Sequence, residues 1–241
     1  MYINQRQVER AQIHKSPHGF SYGFIENFIH EAAYENLRLT FPDVRGFNLV
    51  DKASGGGRKR FYVGPTYVAG KHNDCACQVA ALSRYWQEFF RECASPATAE
   101  LISKAVGISF NTLCNFGLTF GNEGCVQEPH IDGAAREYDE SPVKSSWASI
   151  VYFNESPNNR AGTCVYEPDR RTMTYQAPSM RNGLFFFEQH PLAWHGFPKM
   201  QKGFERRILS LAYSSQQQPL MPRSSWAHRL TCRQYWKQFR P

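Results

Sequence analysis

Two residues that commonly bind metal ions, His130 and Asp132, are separated by one residue in the stretch Gln-Glu-Pro-His-Ile-Asp-Gly at positions 127–133. Side chains alternate along a β-strand, so residues two apart point to the same side. An imidazole nitrogen and a carboxylate oxygen placed in this way can bind one metal ion together. The same pair also occurs by chance in surface turns, so a metal site requires a third ligand elsewhere in the chain.

The third ligand has to come from a histidine further along the chain, and three candidates follow. His195 lies after an apolar run and before the last predicted strand, whereas His190 lies in the connecting segment and His228 in the tail. Two histidines and one carboxylate form the facial triad of non-haem iron(II) oxygenases, which leaves open metal positions opposite the protein ligands. We therefore predict His130, Asp132 and His195 as metal ligands, with His190 as the alternative third ligand or as a neighbouring surface group.

An arginine pair, Arg206 and Arg207, opens the last predicted strand. A guanidinium group is always charged and can bind a carboxylate through two parallel hydrogen bonds. Adjacent residues on a strand face opposite sides, so only one of the two can face the interior. Arg206 shares a face with Ile208 and Ser210. We therefore predict that Arg206, with the Ser210 hydroxyl, binds a carboxylate inside the fold, and that Arg207 is a surface residue.

The strands that would position these residues lie in a predicted β-rich region at 108–215. Short apolar runs separated by turn residues occur at 149–153, 163–166, 184–187 and 208–213. Frequent short strands of this kind indicate a sandwich or a barrel.

The N-terminal part has apolar residues at helical spacing, which predicts that residues 1–107 are largely helical. The first predicted helix covers 25–41, the second 79–93, and the third 96–106, with a proline in its first turn and a glycine after its last. Residues 216–241 form a tail, in which a basic aromatic helix could pack on the outside of the fold. We predict a single domain over the whole chain.

The composition is that of a globular protein, since 41% of the 241 residues are hydrophobic and 15% are aromatic. The net charge of +7 could indicate a nucleic-acid partner, but the basic residues are dispersed rather than gathered in one stripe. Seven cysteines, at spacings that suggest no disulfide framework, indicate a reducing compartment, and we expect a cytoplasmic protein. The segment 1–15 lacks the apolar stretch of a secretory signal, and no window approaches 18 consecutive apolar residues, so no membrane span is predicted.

Taken in order, these features resemble the 2-oxoglutarate- and iron(II)-dependent dioxygenases, and most of all their prolyl-hydroxylase-like branch. The segment 23–29, leading into a helix that ends at a Phe-Pro pair, is similar to the N-terminal entry of that branch. The strand Ile-Val-Tyr-Phe-Asn at 150–154 resembles the family's Tyr-Leu-Asn strand, and the turn at 161–163 takes the place of its Gly-Gly-Glu turn. The resemblance covers about residues 20–215.

The resemblance implies a mainly β fold with flanking helices, built on a double-stranded β-helix (a cupin-like jelly roll). It implies Fe(II) bound by His130, Asp132 and His195, with O₂ as the oxidant. It also implies 2-oxoglutarate as the co-substrate, whose distal carboxylate Arg206 and Ser210 would bind. The implied reaction oxidises an unactivated C–H bond of a substrate while 2-oxoglutarate is converted into succinate and CO₂.

Two positions bear on the type of reaction. Thr163 stands where the family has an acidic residue, so no role of that residue is carried over. The related halogenases have a small residue in place of Asp132, which leaves room for chloride. Asp132 therefore indicates hydroxylation, while desaturation and ring formation stay open.

These motifs leave the substrate open. A small polar metabolite such as a free amino acid is our first expectation, because Arg58, Lys59 and Arg60 follow a run of glycines and could bind its carboxylate. A peptidyl or protein side chain is the second, and the acidic residues within 136–142 could belong to a lid over the metal site. An oxygenase that acts on a flipped nucleobase would suit the net charge. A cupin-like binding protein would keep the fold without the chemistry.

Overall fold

The computed structural model describes residues 1–44, 82–132 and 147–215, together with the backbone of four short strands between residues 48 and 73. The helices in this part of the chain are α1 (Gln5–Val8), α2 (Glu31–Leu39), α3 (Arg84–Cys93) and α4 (Pro96–Val106). The strands are β1 (Gln12–Lys15), β2 (Ser21–Ile25), β3 (Asn48–Leu49), β4 (Lys59–Tyr62), β5 (Thr66–Val68), β6 (Lys71–Asn73), β7 (Thr112–Gly121), β8 (Gln127–His130), β9 (Trp147–Phe153), β10 (Cys164–Tyr166), β11 (Met173–Gln176), β12 (Arg181–Glu188), β13 (Trp194–Phe197) and β14 (Arg206–Ser214).

Two antiparallel sheets form the body of the fold. The large sheet has the strand order β1-β2-β12-β9-β14-β7-β4-β3, and the small sheet has the order β11-β10-β13-β8. Most neighbours in these sheets are distant in sequence, as where β12 lies between β2 and β9, and this is the connectivity of a jelly roll rather than of a simple meander. The predicted jelly-roll core is therefore confirmed.

The large sheet has one face toward the helices and one toward the small sheet. On β14, Leu209 and Leu211 belong to the apolar cluster that packs against the helices, whereas Ile208 packs in the cluster between the two sheets. Tyr152 lies opposite Ile208 on the neighbouring strand β9 and belongs to the same inner cluster. Even-numbered residues of β14 thus face the interior of the jelly roll, and odd-numbered residues face the helices.

The helices α3 and α4 close the outer face of the large sheet. Trp86 of α3 is fully buried, and its indole nitrogen donates a hydrogen bond to the Leu37 carbonyl of α2 at 3.1 Å. The predicted limits of α4 are confirmed, because Ser95 accepts a hydrogen bond from the Thr98 amide and Gly107 ends the helix with a φ of 70°. No helix in the described part of the chain combines the length and apolar character that crossing a bilayer requires.

The prediction that residues 1–107 are largely helical was wrong in part, because β1 to β6 also lie there. The helix predicted for 25–41 is instead the end of β2, a turn at Asn27 with a φ of 48°, and α2, which begins at Glu31. The apolar residues at 25, 28 and 29 are buried as the end of a strand and the turn after it. Their spacing resembles that of a helix, but each of them is apolar because its own position is buried, and not because the three share one face of a helix.

Several sequence predictions fall on residues outside the described part of the chain. They are most of the basic loop 55–60, the first residues of the helix predicted for 79–93, the acidic segment 136–142 and the tail 216–241. The backbone at 59–60 belongs to β4.

We predict that Asn182→Ala destabilises the fold by roughly 2–4 kcal/mol, because Asn182 is fully buried and bridges two segments. Its side chain accepts a hydrogen bond from the Ile29 amide and donates one to the Ile29 carbonyl, and its φ of 50° suits asparagine better than alanine. Denaturant unfolding measures the change. Asn36→Ala, at an exposed position of α2, is the matched control and should change stability by less than about 0.5 kcal/mol. Equal stabilities of the two variants would contradict the prediction.

Candidate metal centre

His130, Asp132 and His195 come together where β8 ends beside β13. One ligand atom from each residue lies within 4.8 Å of the others. Asp132 Oδ1 is 3.7 Å from Nε2 of His130 and 3.5 Å from Nε2 of His195. His195 is buried, while His130 and Asp132 are partly exposed. The cluster therefore borders the protein interior at His195 and is open toward solvent at His130 and Asp132.

An irregular pairing of two strands of the small sheet produces this arrangement. His130 of β8 lies opposite His195 of β13, but the next pair joins Gln127 to Phe197. Three residue steps on β8 thus match two on β13, which is a β-bulge in β8. His195 and Phe197 share the inner face of the sheet because they are two residues apart. The bulge places Gln127 on that inner face together with His130.

Gly196 permits the close approach of the two strands at the bulge. A Cβ atom at Gly196 would lie 2.3 Å from the carbonyl oxygen of Gln127 and 3.2 Å from that of Glu128. The first distance is far shorter than any ordinary contact, and the obstructing atom is backbone. The glycine that follows His195 is therefore a requirement of the strand pairing that positions His130.

Backbone carbonyls hold both histidine rings on the side away from the aspartate. His130 Nδ1 lies 3.0 Å from the Glu128 carbonyl oxygen, and His195 Nδ1 lies 3.0 Å from the Ala193 carbonyl oxygen. A carbonyl only accepts, so in the neutral ring each Nδ1 carries the hydrogen. Each Nε2 then keeps the lone pair that a metal ion requires.

Asp132 is held in its charged form by its neighbours. Burial alone would raise the pKa of this carboxyl, but the neighbouring His195, His130 and Gln189 keep the pKa well below its usual range. The Gln189 amide donates to Asp132 Oδ2 at 2.7 Å. Burial would likewise lower the pKa of His195, but the adjacent Asp132 raises it. The carboxylate is therefore available as an anionic ligand at neutral pH.

The alternative histidine, His190, lies apart from the cluster. Its Nδ1 accepts a hydrogen bond from the Leu192 amide at 3.2 Å, and its ring stacks on Phe20 with the centroids 5.7 Å apart. These contacts stabilise the connection between β12 and β13. His228 lies outside the described residues.

Arg206 is a buried cation at the start of β14, only 3% exposed. Its Nε donates to the Ala161 carbonyl at 3.0 Å, one terminal nitrogen donates to the Thr163 hydroxyl at 2.9 Å, and the guanidinium carbon lies 4.3 Å from the centroid of the Phe197 ring. Burial lowers the pKa of Arg206, yet an arginine stays protonated. Within the described ranges no carboxylate forms a salt bridge with it. A buried cation of this kind suits an anionic ligand.

Arg207, predicted as a surface residue, and Ser210, predicted to bind the carboxylate with Arg206, also lie on β14. Arg207 faces the opposite side, is partly exposed and forms an ion pair with Glu205 at 2.8 Å. Ser210 shares the inner face with Arg206 but is four residues further along the strand, which corresponds to about 13 Å. The hydroxyl beside the guanidinium is that of Thr163.

Sequence reasoning missed two polar residues of the interior, Tyr152 and Thr163. The Tyr152 hydroxyl donates to the Thr163 hydroxyl at 2.8 Å and accepts from the Thr163 amide at 2.8 Å. Burial raises the pKa of Tyr152, so it remains a neutral phenol. The sequence alone does not give this position, because it depends on the pairing of Tyr152 with Ile208, which places Tyr152 on the face of Arg206.

The donor set fits a divalent iron ion. Two imidazole nitrogens and one carboxylate oxygen converge from the end of β8 and from β13, and the partly exposed side of the cluster leaves room for exogenous ligands.

Comparisons with known proteins support the fold. No protein-family model matches the sequence, and no curated protein matches it. A prolyl-4-hydroxylase from Pseudomonas putida aligns with a TM-score of 0.56 at 14% identity, over 83% of this chain and 94% of that one. A prolyl hydroxylase from Trichoplax adhaerens, solved with a peptide fragment of hypoxia inducible factor, aligns with a TM-score of 0.56 at 14% identity, over 88% of this chain and 89% of that one. HygX from Streptomyces hygroscopicus, solved with nickel, 2-oxoglutarate and hygromycin B, aligns with a TM-score of 0.50 at 12% identity, over 80% of this chain and 82% of that one.

The chain therefore has the fold of the 2-oxoglutarate- and iron(II)-dependent oxygenases, including prolyl hydroxylases. The resemblance noted in the sequence is confirmed at the level of the fold.

We predict that Gly196→Ala abolishes high-affinity metal binding, because the added methyl group displaces the bulge that positions His130. Titration with Co(II), followed by absorption, measures the affinity. Gly121→Ala is the matched control, since its Cβ would meet Met200 and Cys125 at ordinary distances of 3.4 and 3.5 Å, and it should bind Co(II) as the unmodified protein does. Unchanged affinity in Gly196→Ala would show that the close approach is not required.

Proposed function

We propose that this protein is a 2-oxoglutarate- and Fe(II)-dependent oxygenase in which His130, Asp132 and His195 bind the metal ion. The observation that carries the proposal is the convergence of their three ligand atoms within 4.8 Å on one side of the small sheet. A buried arginine without a carboxylate partner among the described residues lies in the same interior. A metal centre and an internal anion site are the two elements that this chemistry needs.

The co-substrate site that we propose consists of Arg206, Thr163 and Tyr152. The Ala161 carbonyl fixes the guanidinium through Nε, and the Thr163 hydroxyl accepts from a terminal nitrogen. The phenol and the threonine hydroxyl are held against each other, so both can be oriented toward a carboxylate without leaving the interior. The distal carboxylate of 2-oxoglutarate would complete the charge balance of Arg206.

Aromatic side chains line the interior beside the proposed metal site and would limit the access of water from that side. The Phe187 ring lies with its centroid 4.2 Å from that of His195, and Phe197 covers the guanidinium of Arg206. Fe(II), with 2-oxoglutarate and O₂, would supply the oxidation of a C–H bond when bound here. The protein groups orient the ligands and limit the access of water.

We further propose hydroxylation as the reaction and a small polar metabolite as the substrate, with a free amino acid as the first candidate. Asp132 is present as a third protein ligand, which leaves its metal position filled and unavailable to a halide.

The net charge of +7 and the small-molecule complex of HygX support an anionic or polar metabolite as the substrate. The peptide complex of the Trichoplax adhaerens enzyme supports a peptidyl side chain as the second candidate. Succinate release and product masses, measured on a panel of amino acids, peptides and oligonucleotides, distinguish these classes; a chlorinated product in chloride buffer would contradict the argument from Asp132.

We predict that alanine at His130, Asp132 or His195 abolishes 2-oxoglutarate turnover and weakens Fe(II) binding, since each change removes one of three protein ligands. Anaerobic metal titration and succinate formation measure the two effects. His190→Ala should retain substantial activity, because His190 contacts Leu192 and Phe20 rather than the cluster. An inactive His190 variant beside an active His195 variant would reverse the assignment.

We predict that Arg206→Ala raises the apparent KM for 2-oxoglutarate by about 30- to 1000-fold, equivalent to roughly 2–4 kcal/mol for a charge-assisted bidentate pair. Arg207→Ala is the matched control, because Arg207 is adjacent in sequence but forms its ion pair with Glu205 on the opposite face. It should change the KM little. Titration of 2-oxoglutarate against both variants decides between them, and the opposite ranking would disprove the proposed anion site.

A further inference from the structure

Two glutamine amides contact the proposed metal ligands from different elements. Gln189, the first residue after β12, donates from Nε2 to Asp132 Oδ2 at 2.7 Å. Gln127, at the start of β8, has its Nε2 2.9 Å from His130 Nε2. Neither amide is used by the proposed reaction, and both are partly buried on the inner side of the site.

Gln189 acts on the carboxylate oxygen that faces away from the histidines. Asp132 Oδ1 is the oxygen near both Nε2 atoms, at 3.7 and 3.5 Å, while Oδ2 accepts the amide hydrogen. The amide therefore holds the carboxylate in the rotation that points Oδ1 at the position between the two rings. Gln189 directly follows Glu188, the last residue of β12, which pairs with Trp147 of β9, so a paired strand end holds the backbone from which Gln189 reaches the aspartate.

Gln127 acts on a nitrogen that has to bind the metal. His130 Nδ1 faces the Glu128 carbonyl and carries the hydrogen, so Nε2 has a free lone pair. The amide of Gln127 donates to that lone pair. A metal ion can bind His130 only after this amide has moved away, and the bulge in β8 places Gln127 on the same face as His130.

We propose that the two amides set the metal affinity in opposite directions: Gln189 is a positioning residue that favours binding through Asp132, and Gln127 caps His130 and opposes binding. The proposal rests on the proposed function, because it takes the three ligands as given. It adds that metal binding to His130 replaces the amide contact of Gln127, while the contact of Gln189 with Asp132 is kept.

The test is a Co(II) titration of the full-length, chelator-treated protein, with a competing chelator to measure tight binding. Gln189→Leu removes the donor at similar size and should weaken Co(II) binding about 10- to 100-fold, the usual effect of losing a hydrogen bond to a metal ligand. Gln127→Leu should tighten it by roughly 2- to 10-fold, because one hydrogen bond no longer has to be broken. Gln176→Leu is the matched control; Gln176 lies on β11 at the far edge of the small sheet, donates to the Asn159 carbonyl, and should stay within about twofold of the unmodified protein.

The ligand-field spectrum of bound Co(II) separates positioning from general destabilisation. Gln189→Leu should shift the bands, since the carboxylate is free to rotate, while Gln127→Leu should leave His130 bound. Gln189→Asn keeps an amide on a shorter side chain and should recover part of the affinity lost in the leucine variant. If the leucine variant fails to fold, Gln189→Met provides the unbranched replacement without a donor.

The outcomes can be told apart from a failure of the proposed function. An unmodified protein that binds no Co(II), or that binds it no better than His195→Ala does, would disprove the metal site itself. Specific binding that is unchanged in Gln189→Leu, or an Asn variant no tighter than the Leu variant, would overturn the positioning role. Weaker or unchanged binding in Gln127→Leu would overturn the capping role.

Discussion

The pairing of β8 with β13 is the constraint on which the proposed site depends. A ladder of regular antiparallel pairs would let only one residue in two of β8 face the interior, and His130 and Gln127 could not both do so. The extra residue in β8 removes that restriction and sets His130 opposite His195. It is possible only because residue 196 has no side chain to meet the carbonyl of Gln127. A short, irregular piece of backbone thus determines the geometry of two of the three proposed ligands.

The charges inside the jelly roll are arranged so that each one is oriented by neutral groups. Backbone carbonyls hold Nδ1 of His130 and His195, and an amide holds the outer oxygen of Asp132. Arg206 is likewise oriented by a carbonyl and a hydroxyl rather than by an acidic residue. Neutral partners fix a charged group without cancelling its charge, so the charge stays available for a metal ion or for an anionic co-substrate. If salt bridges oriented these groups instead, their charges would already be neutralised and would attract a metal ion or an anionic co-substrate less strongly.

The proposed site lies on the opposite side of the large sheet from the larger apolar core. The helices of the described residues cover the outer face of the large sheet, where residues such as Leu209, Leu211 and Trp86 form one apolar cluster. The inner cluster is smaller and includes the aromatic side chains next to His195 and Arg206. The space between the two sheets combines this inner apolar cluster with the polar groups of the proposed site.

The amino-acid sequence by itself determined which residues could form the site. The spacing of His130 and Asp132 identified two candidate ligands, although Asp132 lies just beyond the end of β8, and the alternation of side chains along β14 separated Arg206 from Arg207. The tertiary structure decided what lies next to them. Thr163 reaches Arg206 across 43 residues of sequence and Gln189 reaches Asp132 across 57, so neither contact has a local signature. The same holds for the N-terminal strand β2, whose buried end at Ile25 looked helical until its pairing with β12 was known. Periodicity within a segment is set by which side is buried, whereas the partner across the interior is set by how distant strands are registered, and only the folded chain contains that information.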